Sequence, residues 1–185
     1  MYMSNEPLDP EPQSDEQSGR DVEPEVTPTH IPNPNGLRAF EVLGRYLEED
    51  EWHPKQIENK TIYRSYYIGK NSEMRCYAQI HGEQEQLIFY AVAPVRVSEE
   101  VRPAIAEFIA RANYGLRIGN FEMDYSDGEV RYKSSVDFES LPLEPQLIRN
   151  TIYPAVHTMD RYLPGLMRVM YGGQTPFEAI IEIEG

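Results

Sequence analysis

Apolar and polar positions repeat with a period of two through residues 119–139 (GNFEMDYSDGEVRYKSSVDFE). Side chains alternate across a strand, so Phe121, Met123, Tyr125, Val130, Tyr132, Val136 and Phe138 share one face. Glu122, Asp124, Arg131, Lys133 and Asp137 share the other. Asp127-Gly128 is a pair that suits the positive φ angles of a type I′ turn, which predicts a two-residue hairpin. Its register sets Tyr125 opposite Val130, Asp124 opposite Arg131, Met123 opposite Tyr132 and Glu122 opposite Lys133.

Three further strands precede it. They are expected at about 61–69 (TIYRSYYIG), 73–81 (EMRCYAQIH) and 86–95 (QLIFYAVAPV), joined by short loops into an antiparallel meander. The third is apolar on both faces, as a central strand is. Helical periodicity marks the rest. Leu37, Phe40, Leu43 and Leu47 define a helix at about 36–51 with Asn35 as its cap and Pro54 as its stop. Val101, Ile105, Phe108, Ile109, Ala112 and Leu116 form the stripe of a second helix opened by Ser98. A third spans about 143–171, with Pro154 and Pro164 expected to kink or divide it. Thr175-Pro176-Phe177-Glu178 is a capping box that opens a short last helix, with Phe177, Ile180 and Ile181 expected inward. The reading is α+β: an antiparallel five-stranded sheet in the order α-β-β-β-α-β-β-α, plus the C-terminal helix.

Composition separates the N-terminus from this pattern. The first 34 residues carry seven of the 15 prolines, eight acidic residues and only Arg20 as a cation. So polar a segment cannot bury enough surface to offset its ordering entropy, and residues 1–34 are expected to be a disordered acidic tail. Residues 35–174 form the domain and 175–185 the capped helix. The net charge of −14 divides evenly between tail and remainder. Acidity on both argues against a phosphate backbone or an anionic bilayer as partner. No apolar stretch is long enough to span a bilayer, and a single cysteine, Cys76, fits a reducing cytoplasm.

Candidate chemistry is sparse. His30, His53, His81 and His157 are scattered without metal-ligand spacing, so no metal, cofactor or catalytic residue is assigned. His157 and Asp160 lie one helical turn apart, but a surface pair accounts for them. Cys76 shares a strand face with Met74 and Ile80 and reads as a buried thiol. Tyr63, Tyr66, Tyr67 and Tyr77 cluster on the first two strands. Such rings stack nucleobases only where cations accompany them, so packing or a protein interface is expected instead.

Phe108-Ile-Ala-Arg-Ala-Asn113, Gly119-Asn-Phe-Glu-Met-Asp124 and Asp127-Gly-Glu-Val-Arg-Tyr132 together resemble the central signature of the YbjN family. The element order resembles the type III secretion chaperone-like fold, over roughly residues 36–172. The C-terminal YPAVHTMDRYLPGLMRVMYGG resembles cyanobacterial members. The resemblance implies a bacterial sensory transduction regulator with no catalytic residues to carry over. Its fold implies a small acidic homodimer that binds segments of protein partners. The expectation is therefore a cytoplasmic, non-enzymatic, homodimeric adaptor or chaperone-like regulator that needs no cofactor and binds neither nucleic acid nor membrane. Candidate contacts are Ile88, Tyr90 and Val92 on the third strand and Ile105, Phe108 and Ile109 on the second helix. The competing reading is a small-ligand or weakly enzymatic pocket between sheet and long helix, built on Tyr132, His157 and Asp160.

Overall fold

The computed structural model describes residues 33–185. The expectation of a disordered tail therefore lies outside the described residues as far as residue 32. Asn33 and Pro34 already belong to the first helix. Its side-chain oxygen accepts the Asn35 N–H at 2.8 Å, so Asn33 and not Asn35 is the cap, with proline at the first helical position. The chain then runs through α1 (Pro34–Glu49), β1 (Lys55–Gln56), β2 (Ile62–Ile68), β3 (Glu73–His81), β4 (Gln86–Arg96), a 3₁₀ turn (Glu99–Val101), α2 (Arg102–Gly115), β5 (Asn120–Met123), β6 (Glu129–Asp137), α3 (Pro145–Tyr171) and α4 (Pro176–Glu184).

The strands form one antiparallel sheet in the order β1-β2-β3-β4-β6-β5. The β2–β3–β4 meander is as expected. A sixth strand, β1, is added because Lys55 and Gln56 pair with Arg64 and Tyr63 at the sheet margin. The β5–β6 register differs from expectation by two residues: Met123 faces Val130, Glu122 faces Arg131 and Phe121 faces Tyr132. The cause is local. The Asp124 carboxylate accepts the Ser126 N–H (2.7 Å) and hydroxyl (2.6 Å), and the Gly128 N–H closes back on the Asp124 carbonyl at 2.8 Å. This winds a wider turn in which only Gly128 has positive φ, whereas a type I′ turn needs two such residues. A shift of two preserves parity, so the strand residues keep their expected faces.

α1, α2 and α3 pack on one face of the sheet, and α4 packs against α2 and α3. Met74, Cys76, Ala78, Ile80, Leu87, Phe89, Ala91, Val130 and Tyr132 meet Leu43 and Leu47 of α1 and the Ile148, Ile152, Val156, Met159 and Leu163 stripe of α3. Neither proline divides α3; the apolar stripe buried along its whole length outweighs the two missing N–H donors. In α1 the buried line is Gly36, Ala39, Leu43 and Leu47, which leaves Leu37 half exposed. Gly36 sets that rotation. A Cβ there would lie 2.6 Å from the Gly82 Cα, so glycine lets α1 touch the β3–β4 turn. The capping box of α4 is present in full. Its buried residues are Ala179 and Ile180, while Phe177 and Ile181 are 53% and 52% exposed, contrary to expectation. On a nine-residue helix the contact with α2 and α3 admits only one narrow line.

Candidate functional site

Among the described residues, the other face of the sheet carries no helix. Cross-strand partners align into rows that span it. One runs Lys55, Arg64, Tyr77, Tyr90, Lys133, Asn120 from β1 to β5. The next runs Tyr66, Arg75, Val92, Arg131, Glu122, and a third Ile62, Gln79, Ile88, Ser135. Ile62, Tyr77 and Val92 form a second apolar cluster with Ile57 and Tyr90, separate from the main core. Around it stand five cations and one carboxylate. The Arg131 guanidinium lies over the Tyr90 ring at 4.3 Å and that of Arg75 over Tyr77 at 5.9 Å. Glu122 accepts from Arg131 at 2.9 Å and also from Lys133. Burial opposes its charge, but the two cations prevail and hold its carboxyl below the usual range. These two rows are thus aromatic and basic on an otherwise acidic domain, while Glu73 and Asp137 stand on other rows of the same face.

The six residues expected at a contact surface divide between two places. Ile88, Tyr90 and Val92 lie on this outer face. Ile105, Phe108 and Ile109 lie inside the main core, where the Phe108 ring meets Tyr162 edge-on. Tyr132, His157 and Asp160 do not converge. Tyr132 is fully buried and donates to the Ile118 carbonyl, and His157 is an exposed residue beside the Tyr67 and Tyr153 rings. Asp160 accepts the backbone N–H groups of Lys70 (3.0 Å) and Asn71 (2.8 Å), tying the β2–β3 turn to α3. Packed side chains fill the space where that pocket was expected. Cys76 is fully buried and burial pushes its thiol pKa up, away from reactivity. Among the described residues no cluster of histidine, cysteine and carboxylate side chains is arranged to hold a metal ion, and no helix is long and apolar enough to cross a membrane.

Pattern alone did not reveal a polar junction beside the sheet. A cleft of about 580 Å³ is walled by Asp50, Trp52, Arg64, Tyr67 and Tyr153. One oxygen of Asp50 accepts from Tyr153 (2.8 Å), the Trp52 indole (3.0 Å) and Tyr46 (3.1 Å). Burial works against its ionisation, but the three donors outweigh burial and hold the carboxyl below its ordinary range. Burial and the same carboxylate push the Tyr46 phenol up to about 12. The arrangement binds α1 to α3. Asp50→Ala is expected to cost about 1–3 kcal/mol, because three donors lose their acceptor. A folded-state pKa lowered in this way gives stability that is present above the unfolded carboxylate value and lost as pH falls through the folded one. Urea unfolding of wild type and variant should therefore converge below about pH 4; a constant gap down to acid pH contradicts the assignment.

The family model described as "Putative bacterial sensory transduction regulator" matches residues 39–167, most of the described chain. The chain belongs to the YbjN family. Within it, the crystal structure of E. coli YbjN, "a putative transcription regulator", superposes with a TM-score of 0.50 at 8% identity, covering 72% of this chain and 89% of that one. At that identity the likeness speaks for the fold. No curated protein matches the sequence. Membership of the YbjN family assigns the chain to a group described as sensory transduction regulators.

Proposed function

We propose that this YbjN-family chain is a non-catalytic regulator that works by binding protein segments, as a homodimeric adaptor or chaperone-like module in the bacterial cytoplasm. The outer sheet face carries the reading: a cluster of Ile62, Tyr77 and Val92, buried at 1–4% exposure and rimmed by cations, to which no helix among the described residues contributes. Extended segments bind such faces through aromatic and aliphatic anchors, and the cations select the charge of the partner. Ile88, Tyr90 and Val92 remain the candidate contacts, and Arg64 and Arg131 join them.

That face does not suit self-association, since two copies would oppose five cations to five. The homodimer is placed instead on α2 and α4, where Tyr114, Phe177 and Ile181 are exposed beside the Arg111–Glu107 and Arg168–Glu182 ion pairs. A patch bearing both signs is able to match itself across a two-fold axis. Phe177→Glu with Ile181→Glu is expected to shift the mass seen by light scattering from dimer to monomer; a wild type that is monomeric at every concentration refutes the dimer. Affinity capture with wild type and with Arg64→Glu/Arg131→Glu tests the binding face. Partners lost selectively in the variant support the function, and identical capture by both overturns it.

A further inference from the structure

Among the described residues, Lys55, Arg64, Arg75, Arg131 and Lys133 occupy two adjacent rows of the outer face that hold one carboxylate, Glu122, while Glu73 and Asp137 stand on further rows of the same face. Glu122 is already shared by Arg131 and Lys133, so the rows keep a positive excess. Yet residues 33–185 hold 16 Lys and Arg against 23 Asp and Glu. Five of those 16 cations thus stand in two rows beside a single carboxylate. Tyr66, Tyr77 and Tyr90 stand in the same rows. The ligand that matches such a surface is anionic and offers flat or rigid apolar groups to aromatic rings.

Residues 1–32 have that chemistry. They contain eight Asp and Glu with Arg20 as their only cation, and six prolines spaced among the acids (EPLDPEP, DVEPEVTP). Proline-rich chains favour an extended helix without internal hydrogen bonds, and aromatic surfaces recognise it at little entropic cost. The point of attachment also fits. Asn33 is held by Glu85, in the turn that joins β3 to β4. The Gln79–Ile88 row lies just beyond that hairpin end, and the Tyr77–Tyr90 and Arg75–Val92 rows follow along the same strands. Crossing from Gln86 to Val92 takes roughly 20 Å. An extended segment of 32 residues reaches about 100 Å, so the span is no obstacle.

We propose that the acidic, proline-rich segment 1–32 docks in cis on the outer sheet face, over the Tyr77–Tyr90 and Arg75–Val92 rows, and occupies the partner site until an acidic segment of another protein displaces it. The proposal rests on reading that face as a protein-binding surface. A tethered ligand acts at high effective concentration, so weak ionic and ring contacts suffice, and only a competitor of the same chemistry with better anchors opens the face. The same occupancy would keep single-stranded nucleic acid off a basic, aromatic sheet that otherwise suits it.

Arg20 is the only trypsin site in residues 1–32, which makes the test direct. Cleavage after Arg20 in the full chain should be about tenfold slower than in a synthetic peptide of residues 1–32. The difference should collapse in the Arg64→Glu/Arg75→Glu full chain, and also in wild type at about 0.5 M salt, a comparison that needs no folded variant. Carbodiimide coupling should join carboxylates of 1–32 to Lys55 and Lys133 within one molecule, in preference to Lys70 at the far turn. Equal cleavage of wild type and peptide, coupling to Lys70 as frequent as to Lys55 and Lys133, or a single-stranded oligonucleotide bound by the full chain without displacing the segment each overturns the proposal. Cis docking lost with partner capture intact rejects this inference alone, whereas docking without any partner rejects only the adaptor reading.

Discussion

Trp52→Ala is expected to remove about 3–5 kcal/mol of folding stability. Trp52 is the only tryptophan and sits, 6% exposed, where the chain leaves α1 for the sheet. Its ring stacks on Tyr67 of β2 at 5.5 Å and meets Phe89 of β4 and Tyr153 of α3 edge-on at 5.9 and 6.0 Å. Its indole N–H donates to Asp50 and its backbone N–H to the Leu47 carbonyl at 2.9 Å. Three elements therefore meet on one side chain, and alanine would leave a cavity lined by rings that cannot collapse together. Trp52→Phe keeps most of the ring contact and loses the donor, so it should cost about 1–2 kcal/mol. Urea titrations of both variants decide the matter; an alanine variant within about 1 kcal/mol of wild type would mean the junction is not a keystone of the fold.

The second large effect is expected at Gly128. Its φ is +75°, and a Cβ built there would lie 2.1 Å from the Val97 carbonyl oxygen and 2.9 Å from the Val97 nitrogen. These are backbone atoms, held by the Val97 N–H donating to the Gly128 carbonyl at 2.9 Å, so nothing flexible is available to yield. Gly128→Ala should cost about 2–5 kcal/mol, left-handed strain and overpacking together. Gly173→Ala isolates the two effects. Gly173 has φ of +68° with nothing within 4 Å of an added Cβ, so only the backbone cost of about 1–2 kcal/mol applies. Equal losses at the two sites would show that the approach to Val97 contributes nothing.

What could be read from the chain divides by range. Strand β3, the β2–β3–β4 meander and the Thr175 capping box follow from neighbours a few residues apart, and each stands where it was expected. The hairpin parity was legible for the same reason, but its register was not, because the Asp124 side chain competes with a two-residue turn for the Ser126 backbone. β1 escaped notice because two residues carry no period; it exists only through its pairing with Arg64 and Tyr63. The rotation of α1 was decided by the approach of Gly36 to Gly82, a contact between distant glycines. The candidate face was the least legible of all. Its cations are spread from Lys55 to Lys133 and become a row only once the registers of five strand pairs are superimposed. An overall negative charge disguised them, since net charge is a sum and says nothing of placement.

The two margins of the sheet bear on how this protein behaves when crowded. β1 offers two residues, one of them a lysine, just after Pro54, and β5 offers four. Each is short, which limits the ladder it offers an added strand, but Ser65–Ile68 of β2 and Ser134–Asp137 of β6 extend past them. Short borders thus leave those stretches of β2 and β6 as the places where amyloid-like stacking would begin.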